Sequence, residues 1–94
     1  MELPERQAKA EKLHFVYIIK CTDKTFYVGC TNNLTRRISE HNSGKVKSTA
    51  YRKPVELETY CVFKNKYLAY NFEKYLKSGS GRAFMNKRLI EKED

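Results

Sequence analysis

Two apolar stretches decide the fold: His14-Phe15-Val16-Tyr17-Ile18-Ile19-Lys20-Cys21 and Phe26-Tyr27-Val28-Gly29-Cys30, separated by Thr22-Asp23-Lys24-Thr25. Both are rich in β-branched and aromatic residues, and the polar link between them is turn-like, so the pair reads as a β-hairpin. Gly29, near the end of the second strand, marks a close backbone approach or a bend. Tyr17 and Tyr27 stand one on each strand. On a pleated surface the ordinary use of a tyrosine is a packed ring with its hydroxyl at the rim.

Downstream, Thr31-Asn32-Asn33 offers helix caps. Leu34 and Ile38, four apart, would bury one face of a helix running to about Asn42, and Arg37 and His41 share the adjoining face. Ser43 to Pro54 is a loop containing Lys45, Lys47, Arg52 and Lys53 and no acid. Glu56 to Phe63 alternates and reads as a third strand. Asn65 caps a second helix over about Lys66 to Lys77, with Leu68, Ala69, Phe72, Tyr75 and Leu76 as its apolar residues. Ser78-Gly79-Ser80-Gly81 breaks it. A last helix, about Arg82 to Ile90, packs through Phe84, Met85, Leu89 and Ile90. The order is ββαβαα in one domain over residues 13–90. A polar arm precedes it at residues 1–12, where a frayed helix and a disordered segment fit equally, and an acidic tail follows at 91–94.

The formal charge of the 94 residues is +8, and its placement is uneven. The first twelve residues carry three basic and three acidic groups. From Leu13 to Ile90 there are 15 Lys and Arg against five Asp and Glu, a net of +10. Such a field attracts polyanions, nucleic acid first and an anionic membrane surface second. No stretch approaches the roughly 20 apolar residues of a membrane span. The N-terminus has no apolar run after its charges and is not a secretory signal. Cys21, Cys30 and Cys61 are odd in number with no Cys-x-x-Cys pair. That argues against a disulfide framework or a zinc site and for small buried hydrophobes in a reducing cytoplasm.

Few residues could carry chemistry. There is no paired-carboxylate site, His-x-x-x-His or Gly-rich phosphate loop. Glu73 stands out as the one acid between Glu58 and Glu91. Four residues after Ala69 and three before Leu76, it sits at the edge of a burying face, where a carboxylate needs a cation. That cation is either Lys77, at i+4, or a metal. Arg36-Arg37 and His41 fit a solvated helix face as well as a site.

Phe15-Val16-Tyr17, nine further residues, and Tyr27-Val28-Gly29 together resemble the paired tripeptides that name the GIY-YIG nucleases. Asn33-Leu34-Thr35-Arg36-Arg37-Ile38-Ser39-Glu40-His41-Asn42 looks like the helix of that family that carries an Arg ten residues after the second tyrosine and often a His four later. Ala69-x-x-x-Glu73-x-x-x-Lys77 looks like the helix that presents its metal-binding Glu. The resemblance covers about Phe15 to Leu89 and is to short stand-alone members, related to the nuclease part of the bacterial excision-repair incision protein. The sequence departs from the pattern at Phe15, in place of Gly, and at Cys30, where some members have a Lys. Asn86 lies near a downstream Asn of some branches but out of clear register.

The resemblance implies an α+β fold, a three-stranded antiparallel sheet flanked by helices, and hydrolysis of DNA phosphodiesters. Such cleavage needs an activated water, a Lewis acid and cations for the developing charge. Glu73 is then expected to hold Mg²⁺ or Mn²⁺, with waters and a phosphate oxygen completing the shell. Arg37 would contact the scissile phosphate. Tyr17 would take the proton of the water, with its pKa of about 10 lowered by neighbouring positive charge. Tyr27 would orient the water or Tyr17. His41 would accept a proton from Tyr17 or contact a phosphate. Arg36 and the loop cations Lys45, Lys47, Arg52 and Lys53 would hold the DNA backbone. RNA fits the same field, and sequence specificity would come from a protein partner or be low. The competing expectation is a non-catalytic nucleic-acid-binding module on the same fold.

Overall fold

The computed structural model describes residues 12–91; most of the expected N-terminal arm and the end of the acidic tail lie outside them. Strand β1 (His14–Lys20) is central in a three-stranded sheet of order β2-β1-β3, with β2 (Phe26–Thr31) and β3 (Glu56–Phe63) both antiparallel to it. Helix α1 (Leu34–Asn42) follows the hairpin. Helices α2 (Lys66–Leu76) and α3 (Gly79–Arg88) follow β3. The fold is therefore α+β in the expected order ββαβαα. Among the described residues no helix is long and apolar enough to cross a membrane.

Side chains alternate across a strand, so β1 feeds two cores. Phe15, Tyr17 and Ile19 face one side, where Leu34 and Ile38 of α1 cover them together with Val55 and Leu57. Val16 and Ile18 face the other, under Ala69 and Leu76 of α2 and Met85 of α3. Five consecutive residues of β1 are thus buried, which is why that strand reads as a continuous apolar run. Cys21 is buried, Cys30 and Cys61 are half-buried, and all three are free thiols.

Caps fix the helix starts as expected. The Asn33 side chain accepts from the Arg36 amide at 3.1 Å, and Asn65 accepts from the amides of Tyr67 and Leu68 at 2.8 and 3.1 Å. Two expectations are corrected. Leu68 and Tyr75 of α2 are exposed, because the helix buries only the narrow stripe through Ala69 and Leu76 with Phe72 at its margin. Ser78-Gly79-Ser80-Gly81 is not a long break. Ser78 caps α3, its hydroxyl accepting from the Gly81 amide at 3.2 Å, and the two glycines lie inside the helix. At Gly81 any Cβ would overlap the Tyr75 carbonyl, so glycine here lets α3 meet the end of α2 at backbone distance.

Candidate active site

The site is assembled at the β2 edge of the sheet, where side chains from both faces meet. Tyr17 rises from the central strand on the α1 side, opposite Gly29 of β2. A Cβ at Gly29 would overlap the hydroxyl and ring of Tyr17, so the missing side chain is the space the ring occupies. The ring is fully buried and has nowhere to retreat. Gly29→Ala is therefore expected to cost about 1–3 kcal/mol by overpacking. For a chain of this size that lowers the thermal midpoint by at least several degrees, read by calorimetry. An unchanged midpoint would show that the ring has room to shift.

The Tyr17 hydroxyl has two partners from α1. Arg37 Nε donates to it at 3.3 Å, and it lies 2.9 Å from His41 Nε2. Arginine only donates, and Thr49 donates its own proton to the Val46 carbonyl, which leaves His41 Nε2 to accept the Tyr17 proton. The imidazole then carries its own proton on Nδ1, which lies 2.7 Å from the Thr49 hydroxyl, and Thr49 donates in turn to the Val46 carbonyl at 3.5 Å. Every polar atom in this relay is matched, and among the described residues no buried side-chain N or O lacks a partner. Thr49, which sequence reasoning missed, has no local signal; it is one small polar residue in a basic loop that happens to fold back onto α1.

Burial sets the electrostatics. It pushes the Tyr17 phenol up to about 12, against the opposing pull of the Arg37 guanidinium. The expected lowering by Arg37 is present in direction and outweighed by desolvation. Burial, and then Arg37, push His41 down to about 4. His41 is wholly buried and neutral, so in this conformation it reaches no phosphate, and its contact is with Tyr17. The folded state then binds fewer protons than the unfolded chain between about pH 4 and 6.5. The stabilisation from keeping His41 neutral is complete above that window and is lost as pH falls through it, on the order of 3 kcal/mol in all. Urea midpoints between pH 7 and 4.5 are expected to drop accordingly, and to drop less steeply in His41→Gln. Equal slopes in the two proteins would show that His41 does not set the dependence.

Tyr27 continues the site toward the other face. Its half-buried ring lies 6.5 Å from that of Tyr17 and 5.1 Å from that of His41. Lys77 Nζ sits 5.9 Å from its centroid. The same ammonium donates to Glu73 Oε2 at 2.9 Å, so the ion pair expected on α2 is present. Glu73 is close enough for its charge to act on Tyr17 and on the Cys30 thiol, which burial and Glu73 together push up. Tyr17, Tyr27, Arg37, His41 and Glu73 thus come together from β1, β2, α1 and α2. Among the described residues no group of three His, Cys, Asp or Glu gathers as a metal cage. A single carboxylate could hold a hard divalent ion whose remaining ligands are water and phosphate, provided Lys77 yields the position it now occupies.

The expected DNA-contacting residues are scattered. Lys45, Lys47 and Lys53 are exposed. Arg52 is not free: its guanidinium donates to the Ser48 carbonyl at 2.6 Å and to the Thr25 hydroxyl at 2.7 Å, tying the loop to the hairpin turn. Arg36 lines a separate cleft with His14, Asn32 and Lys66. Asn86 lines a cleft of about 440 Å³ with Thr25, Tyr27, Lys77 and Arg82.

The family model of the GIY-YIG catalytic domain matches residues 13–88. The chain belongs to the GIY-YIG family. Its GIY-YIG relatives include two UPF0213 proteins of Streptococcus pyogenes, from serotype M5 (strain Manfredo) and serotype M1. Each is 41% identical over 73 residues, 77% of this chain and 79% of the relative. The solution structure of the UPF0213 protein BH0048 from Bacillus halodurans is 35% identical, with a TM-score of 0.52 over 80% of this chain and 83% of that one. Within this GIY-YIG domain the two tripeptides are Phe15-Val16-Tyr17 and Tyr27-Val28-Gly29, and the close approach of Tyr17 to Gly29 shows why the second ends in glycine. The fold is that of a nuclease family.

Proposed function

We propose that this GIY-YIG protein is an endonuclease that hydrolyses phosphodiester bonds in DNA with the help of one divalent metal, Mg²⁺ or Mn²⁺. The observation that carries this reading is the convergence of Arg37, Tyr17, His41, Tyr27 and Glu73 on one edge of the sheet in a net-positive domain. Exposed Tyr67 and Tyr70 beside Lys66 add rings on which bases can stack, as a nucleic-acid surface requires. Lys45, Lys47 and Lys53 remain the loop cations available for the DNA backbone. Arg52 keeps the loop in place.

In the mechanism, Arg37 turns its planar fork from Tyr17 and Glu40, which it now contacts at 3.3 and 3.0 Å, to the scissile phosphate. That frees a lone pair on the Tyr17 oxygen for the attacking water. Tyr17 need not ionise beforehand. It accepts the proton from water as its own proton passes to His41 Nε2, which is neutral and so open to a proton, and which becomes a stronger acceptor once the Arg37 charge that helps to hold it down to about 4 has turned away. Thr49 holds the His41 ring in the tautomer that can receive it. Tyr27 positions the water. Glu73 would hold the metal, which supplies Lewis-acid stabilisation of the phosphorane-like charge.

One specific observation favours a second assignment of the tyrosines: Tyr17 is fully buried, whereas Tyr27 reaches the surface. In that reading Tyr27 meets the water and Tyr17 links it to His41. The function is tested with labelled single-strand, branched and duplex DNA, and their RNA counterparts, with Mg²⁺ or Mn²⁺ and with chelator. Metal-dependent cleavage of at least one DNA substrate is expected. Binding without cleavage across the whole panel would make the domain a non-catalytic binding module.

A further inference from the structure

We infer that Lys77 is the resident counter-ion of Glu73 in the DNA-free protein, and that it guards the carboxylate against divalent metal until a phosphate draws the ammonium away. This rests on the reading of Glu73 as the metal ligand. The Glu73 side chain is only 16% exposed, so its charge is largely removed from water and needs a cation. Lys77 supplies one at 2.9 Å from the i+4 position, in the favourable order of acid before base. Yet half of the Lys77 side chain is in solvent. An exposed lysine pair of this kind is weak enough to exchange.

The ammonium also has somewhere to go. Lys77 lines the 440 Å³ cleft with Arg82, Thr25 and Asn86, next to Tyr27. A DNA phosphate entering that cleft competes for the ammonium, and Glu73 is left as a bare carboxylate at the moment substrate is in place. A divalent ion arriving earlier must displace Lys77 and then tolerate its charge nearby. Lys74, adjacent to Glu73 in sequence, is turned aside: its Nζ lies 5.3 Å from the Tyr70 ring. It therefore serves as a control of equal charge outside the pair.

The test is Mn²⁺ binding by the full chain without DNA, read from the electron paramagnetic resonance of free Mn²⁺. Lys77→Met is expected to bind Mn²⁺ about fivefold tighter than the native protein, the order of what breaking an exposed pair releases. Lys74→Met should shift affinity less than about twofold. Lys77→Arg, which keeps a cation on Glu73, should bind as weakly as the native chain. Equal shifts in Lys77→Met and Lys74→Met, with binding abolished in Glu73→Gln, would overturn the guard and leave the metal ligand standing. No binding by Lys77→Met at any concentration also overturns it. Undiminished binding in Glu73→Gln would remove the metal assignment itself, and the guard with it.

Discussion

Glu73→Gln is expected to bring metal-dependent DNA cleavage down to background while the protein still folds and binds DNA. The amide keeps the shape of the side chain and loses the charge that a hard divalent cation prefers. Removing a negative charge from a positive surface should leave DNA binding in the absence of metal equal or tighter. The structure also sets the stability cost. Had Glu73 and Lys77 formed a fully buried pair, losing one partner would have left an uncompensated charge worth several kcal/mol. Lys77 is half in solvent and can rehydrate, so the cost should be at most about 1 kcal/mol. Thermal midpoint and nicking rate, measured on one preparation, separate the alternatives. A stable, DNA-binding, inactive variant supports the metal ligand. Nicking at the native rate would sink it.

Tyr17→Phe should lower cleavage by about 10²-fold or more, the range for losing a positioned general base. The effect on the fold is larger than the sequence alone suggests, since Tyr17 looks there like a strand tyrosine whose hydroxyl could be removed without consequence. The hydroxyl is the partner of His41 Nε2, and both groups are buried. Removing it leaves that nitrogen unpaired, at a cost of about 1–3 kcal/mol. Tyr27→Phe keeps its ring contacts and lacks this penalty. Comparing cleavage rates of the two variants at a temperature where both remain folded decides the roles. If Tyr17→Phe cuts at the native rate and Tyr27→Phe does not, Tyr27 is the base.

Much of the architecture is legible locally. The β-branched run from His14 to Cys21, the turn after it and the asparagine caps at Asn33 and Asn65 each determine their element with little help from the rest of the chain. The five acids from Leu13 to Ile90 leave Glu73 isolated, so the residue is conspicuous from the order of amino acids alone. The ββαβαα order belongs to this local information, whereas Thr49 carries no local signal.

Other features exist only after folding, because burial and partners at long sequence separation create them. Leu68 and Tyr75 are as apolar as the core residues of α2 and yet face solvent, since the buried stripe of the helix runs through Ala69 and Leu76. Arg52 looks like a free cation and is consumed by Ser48 and by Thr25, 27 positions away. The hydrogen-bonded chain of Tyr17, His41 and Thr49 joins a strand, a helix and a loop. Its protonation states follow from desolvation, which no residue pattern encodes. The sequence determined which side chains are available and which elements carry them. Tertiary packing decided which of them touch, which are neutral, and that Gly29 leaves room for Tyr17 beneath Arg37.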